Sequence, residues 1–260
     1  IYMYINIKLP YCTHFWHFIM GEFFPVIYIM MKCKRPKYFL YNNKRKWGKC
    51  FDKFYKELGF NVVFTNKLPK GRYFIANYRG WDYKWTQKDR HKCREVVNFL
   101  KQKAINKYGQ MNSSINNELI IQYRVRNQDL ENHFSTQYQT DIRYGPAKRH
   151  FLNMNQLHTV LENTKYLHHD NMPILKQISY YINANRILLE HGAGMVFILF
   201  MKEKSNVIEL ITPDKQANKK CGAVQGAIRL CAFKRSKLSR VVIEDQTNVL
   251  EYTEKIKNYV

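Results

Sequence analysis

Acidic residues are scarce in this chain. Twenty Asp and Glu stand against 43 Lys and Arg in 260 residues, a formal net charge of +23. Such an excess points to anions: nucleotide phosphates, nucleic acid, acidic glycans or an anionic membrane surface. The plainer account is a Lys- and Asn-rich coding bias with solvated lysines, and the Lys, Asn, Ile and Tyr usage fits an AT-rich genome such as that of a large DNA virus or a parasite. Cysteine pairs are missing too. Cys12, Cys33, Cys50, Cys93, Cys221 and Cys231 form no C-x-x-C, which excludes a zinc frame and a small disulfide scaffold and leaves free, mostly buried thiols. There is no G-x-S-x-G, no G-x-x-x-x-G-K-[ST], no G-x-G-x-x-G, and no Ser-His-Asp or Cys-His order beside a supporting turn. Hydrolase, kinase and dinucleotide-binding chemistry therefore lack a basis. No clean apolar run of about 18 residues occurs. The most apolar stretch, Tyr11 to Cys33, is broken by His14, His17, Glu22 and Pro25, so it reads as a buried helix and not a span or signal anchor. His14, His17 and Gly21 fall at helical spacing, as one polar stripe. A soluble, cytoplasmic protein is the expectation. The chain begins at Ile1 and not at a methionine, as a fragment or a processed form would.

What is present is an alternation of strands and helices. Lys37 to Tyr41, Asn61 to Thr65 and Arg72 to Tyr78 read as strands, with helices over Arg45 to Leu58 and His91 to Tyr108 closed by Gly59 and Gly109. Asn112 to Asn117 is polar and small, the best linker in the chain. Beyond it, strands are expected at Leu119 to Val125, Lys165 to His168, Ile187 to Leu189, Val207 to Ile211 and Arg240 to Glu244. Helices are expected at Asn153 to Asn163, Met172 to Asn183, Gly222 to Phe233 and Asn248 to Tyr259, and Asn127 to Gly145 as a loop. The pattern predicts an α/β chain of two doubly wound halves: residues 1–115, residues 116–245, and a C-terminal helix over 246–260.

The stretch from Arg186 to Pro213, RILLEHGAGMVFILFMKEKSNVIELITP, is the most informative. A short apolar strand is broken by His191-Gly192-Ala193-Gly194, where small residues let the backbone turn sharply or approach a ligand. Met195 to Met201 is apolar all round and long enough for about two helical turns, and Val207 to Ile211 returns as a strand. The unit reads as parallel βαβ, and its helix start is a ready anion site. HGAGMVFILFM followed by VIEL resembles the signature of the glycosyltransferase 61 family. The segment Lys148 to Asn153 resembles that family's R-x-(I/L)-x-N element, and Leu119 to Arg126, LIIQYRVR, its strand-then-Arg element. The three occur in the family's order.

The resemblance implies a GT-B-like layout, two Rossmann-like doubly wound domains facing a cleft, with the first on the acceptor side and the second holding a nucleotide sugar. It implies a hexosyl- or pentosyltransferase that inverts the anomeric carbon, with a UDP-sugar as the expected donor and a glycan, protein or small-molecule hydroxyl as acceptor. Arg124, Arg126, Arg149, Asn153, His191, Gly192 and Gly194 then line the donor site. Glu209, at the end of its strand, accepts from ribose hydroxyls or else stands as a carboxylate in water. There is no D-x-D to hold a divalent ion on a diphosphate, so no metal or other cofactor is expected and basic residues take that task. His168-His169-Asp170 mimics a metal site only superficially, because adjacent strand residues face opposite ways.

The acceptor hydroxyl needs a base. The family carries a segment of the form N-x-x-H-x-x-x-D/E-x-x-P, and His17 to Pro25 resembles it with one extra residue between His17 and Glu22. Either His17 is not the equivalent or the helix has a local irregularity there. Glu22 is the expected base with His17 beside it, and Asp82, in Trp81-Asp82-Tyr83, is the reserve. Two other classes compete: an inactive relative that keeps the fold and binds without transfer, and a nucleic-acid binder stacking bases on Tyr78 to Trp85. No recognised nucleic-acid module supports the latter.

Overall fold

The computed structural model describes residues 3–8, 18–41, 52–68, 70–77, 86–109, 118–122, 157, 161–167, 169, 172–211, 213, 222–244 and 249–259. It divides into two compact units, Ile1–Met111 with Pro173–Ile182, and Asn112–Met172 with Asn183–Val260. Among the described residues each unit holds one parallel sheet with helices, the Rossmann-like α/β pattern. No helix among them is long and apolar enough to cross a membrane.

The first sheet has the order β3-β2-β1-β4, built from β1 (Met3–Lys8), β2 (Tyr38–Tyr41), β3 (Val62–Thr65) and β4 (Phe74–Asn77). β1 has no counterpart in the sequence expectations, yet it is an inner strand with Ile5 and Ile7 buried. The strand order turns back between β1 and β4, whose last residues Lys8 and Asn77 are register partners. Phe18–Phe23 is wound as a π-helix and runs straight into α1 (Phe24–Cys33). Pro25 sits in the first turn of α1. α2 (Asp52–Glu57) ends before Gly59, whose φ of +80° suits glycine. α3 (Gln87–Tyr108) starts on a capping box between Thr86 and Asp89 and buries Cys93, Val96, Val97, Leu100 and Ala104 along one face. α4 (Ile174–Tyr181) packs against α3 and so belongs to this unit.

The second sheet has the order β6-β5-β7-β8-β9, from β5 (Leu119–Gln122), β6 (Thr164–Leu167), β7 (Arg186–Glu190), β8 (Asn206–Ile211) and β9 (Lys237–Val242). Leu119, Ile121, Leu188, Ile208, Leu210 and Val241 form one apolar face, covered by Leu157, Leu161 and Ile256 of α6 (Val249–Lys257). A 3-10 helix (Ala193–Phe200) joins β7 to β8, and α5 (Gly222–Lys234) packs on that helix and on β9. The 3-10 winding suits the job. A connection back along a five-residue strand must cover about 16 Å. Eight residues rise about 16 Å as 3-10 but only about 12 Å as α-helix. Met195 to Met201 are all buried, so the segment is core as well as connector.

Candidate functional site

In the second sheet the strand order reverses between β5 and β7. Doubly wound sheets bind ligands outside the carboxyl ends of the strands at such a reversal. Gln122 ends β5 and pairs in register with Leu189 of β7, one residue before β7 ends at Glu190. The glycine turn follows at once. Gly192 has φ 156° and ψ −160°, a region essentially reserved for glycine. Its carbonyl accepts from Met195 N–H at 3.1 Å, opening the 3-10 helix. Gly194 is required for another reason. A methyl group built on it would overlap the carboxamide of Gln122, so the small residue there makes room for a side chain from β5.

His191 is anchored twice. Its backbone N–H donates to Leu210 O at 3.0 Å, and its ring Nδ1 lies 2.5 Å from Glu209 Oε1. Glu209 Oε2 in turn accepts from Arg240 Nε at 2.7 Å. Glu209 is fully buried, His191 nearly so, and the Arg240 side chain is about a quarter exposed. Glu209 is therefore not a strand-end carboxylate in water. It lies two residues before the end of β8, with one oxygen toward the imidazole and the other toward the guanidinium. A carboxylate taken out of water costs several kcal/mol unless compensated in this way. Its charge is felt nearby: burial first, then Glu209, pushes the Cys231 thiol up to about 12 against the opposing pull of Arg240.

The structure thus brings His191, Gly192, Gly194 and Glu209 together at one strand reversal. Arg124, Arg126, Arg149 and Asn153 lie outside the described residues; Arg124 and Arg126 follow Gln122 by two and four positions in the chain. His17 and Asp82 also lie outside them. Glu22 is described and fully buried, with Tyr55 Oη donating to its Oε1 at 3.3 Å. Its helix is wound as a π-turn over Phe18–Phe23. In a π-turn, residues five apart take the relation that residues four apart have in an α-helix, as the rings of Phe18 and Phe23 do, 5.5 Å apart. His169 lies against Phe197, with ring centroids 4.4 Å apart, and no group of metal-binding side chains occurs among the described residues.

Two residues at the site escape a reading of the sequence. Gln122 carries a signal of sorts, being the first polar residue after Leu119 to Ile121. Arg240 carries none, since its partner Glu209 lies 31 positions away and only the β8–β9 register makes them neighbours. Among curated proteins, none matches the chain. A family model described as Glycosyltransferase 61 matches residues 15–208, a span that includes the glycine turn and stops one residue before Glu209. That is well over half of the sequence, and the chain belongs to the glycosyltransferase 61 family.

Proposed function

We propose that the chain is a glycosyltransferase that transfers a sugar from a nucleotide sugar, a UDP-sugar by preference, to a hydroxyl acceptor, with inversion and without a metal. The observation that carries this reading is the glycine turn at the β5/β7 reversal, with His191 held there by Glu209. As the bond between the anomeric carbon and the diphosphate breaks, negative charge builds on the leaving oxygen. Backbone N–H groups at the start of the 3-10 helix, with Arg124, Arg126 and Arg149, are the groups that stabilise it. Asn153 and Glu209 complete the donor side, the latter through His191. The acceptor oxygen attacks the opposite face of the anomeric carbon while a base takes its proton. Glu22 is our first candidate for that base, with His17 beside it and Asp82 in reserve. In this reading the first unit serves the acceptor and the second the donor, in the GT-B manner.

The test is a thermal-shift series with UDP, GDP, CMP and their sugar conjugates, with and without EDTA. A ligand that binds only the folded state raises the midpoint. The expected result is a rise with the UDP compounds that EDTA leaves unchanged and that Arg124→Ala abolishes. No rise with any nucleotide, or no effect of Arg124→Ala, would sink the proposal. One observation favours a second reading, a relative that binds donor without transferring it: Glu22 has no exposed surface, whereas a base must touch its acceptor. Donor binding without transfer or donor hydrolysis over a broad acceptor panel would select it.

A further inference from the structure

Arg240 stands on β9 beyond the matched family span. It is the direct register partner of Glu209, and its Nε donates to Glu209 Oε2 at 2.7 Å while Oε1 faces His191 Nδ1 at 2.5 Å. The guanidinium charge beside Oε2 favours the ionised carboxylate, which has no proton to offer from Oε1, so the hydrogen between Oε1 and Nδ1 belongs to the imidazole. With Nδ1 committed, Nε2 is the nitrogen through which His191 engages anything other than Glu209. In that tautomer Nε2 is an acceptor, suited to a hydroxyl and not to a phosphate oxygen. Among the described residues, titratable groups near this pair include Glu190 on β7, next to His191 in the chain, and Cys231 on α5, whose thiol the Glu209 charge reaches.

We propose that Arg240 is a positioning residue: through Glu209 it holds His191 with its hydrogen on Nδ1, and so presents Nε2 to a hydroxyl of the nucleotide sugar. The ligand half of this assignment rests on the glycosyltransferase reading; the tautomer half does not. The first experiment therefore uses the nucleotide-free protein. Nitrogen-15 NMR of the histidine rings at neutral to mildly alkaline pH, with His191 identified by the signal lost in His191→Gln, reports which ring nitrogen carries hydrogen. The expected result is hydrogen on Nδ1 alone in the wild type, the same in Arg240→Lys, and a mixture of tautomers in Arg240→Met. Should Arg240→Met not fold, Arg240→Gln removes the charge while keeping a neutral donor and carries the same readout. Hydrogen on Nε2 in the wild type, alone or with Nδ1, overturns the proposal, as does an unchanged tautomer in the uncharged variant.

The second measurement is affinity for UDP and UDP-glucose. Loss of a hydrogen bond made by a fixed imidazole is expected to weaken binding about tenfold in the uncharged variant, with Arg240→Lys close to wild type. Equal losses for the two ligands put the hydroxyl on the ribose, and a loss confined to UDP-glucose puts it on the sugar. Unchanged affinity for both, with the tautomer altered, overturns the ligand half. If the tautomer behaves as expected and the wild type binds neither ligand, the glycosyltransferase reading fails and the link from Arg240 to His191 stands.

Discussion

At Gly194 the space that a side chain would need is already taken by Gln122. Gly194→Ala must push that carboxamide aside, and because it is the end of a flexible side chain the cost is expected to stay at about 1 kcal/mol or less. The melting midpoint is expected to fall by no more than about 2–4 °C. Shortening the obstacle relieves the clash, so Gln122→Ala combined with Gly194→Ala is expected to cost clearly less than the sum of the single changes. Strict additivity in that cycle would mean the two side chains do not compete for the space. His191, Gly192, Gly194 and Glu209 are legible in the sequence because they lie within one local strand–turn–strand stretch. Gln122 and Arg240 join them from other strands, and no local pattern in the chain announces a neighbour made by sheet register.

The elements show a similar division. α4 begins after Pro173, which offers no side-chain cap. Its first N–H groups are met instead by Glu57 of α2: Ile174 N–H donates to Oε2 at 2.7 Å and Leu175 N–H to Oε1 at 3.2 Å. Removing that cap with Glu57→Ala is expected to cost about 1 kcal/mol. Burial raises the Glu57 pKa above the ordinary carboxyl value, against the lowering pull of these two N–H groups and of Lys107. A carboxyl whose pKa is raised on folding binds its proton more tightly in the native state. Its contribution is fully present below the unfolded pKa and declines as pH rises through the folded one. Denaturant titrations across mild acid should show that decline in the wild type and lose it in Glu57→Gln. A wild-type stability that instead rises over the same window, unaltered in Glu57→Gln, would contradict the assignment. Helix periodicity and the Gly59 and Gly109 stops were readable in advance. The π-turn at Phe18–Phe23 was readable only as an extra residue in a motif, and the central strand β1 was not anticipated even though Ile5 and Ile7 alternate with polar neighbours.

For the whole molecule, the charge of +23 predicts weak, non-specific attraction to any polyanion. Binding of single-stranded nucleic acid is expected to fall steeply between about 50 and 200 mM salt, as counterion release requires. Tight binding that survives near-physiological salt would revive the nucleic-acid reading at the expense of the transferase.

The α/β class was legible at this scale, because strands buried on both faces read as unbroken apolar runs separated by amphipathic helices. The membership of α4 was not. A division of the chain at a single linker has no means of returning Pro173–Ile182 to the first unit, because that grouping depends on packing against α3 and on Glu57.

By itself the sequence determined most of the strands and helices (though not β1), where the glycine turn falls, and the family to which the turn belongs. These follow from local periodicity, backbone freedom and motif spacing, which neighbouring residues impose on one another. Only the tertiary structure decided the strand orders, the reversal between β5 and β7, the seat of Gln122 against Gly194, and the line from Arg240 through Glu209 to His191. Those depend on which strand lies beside which. The free energy that selects the pairing comes from burial and from the compensation of buried charge, summed over residues far apart in the chain.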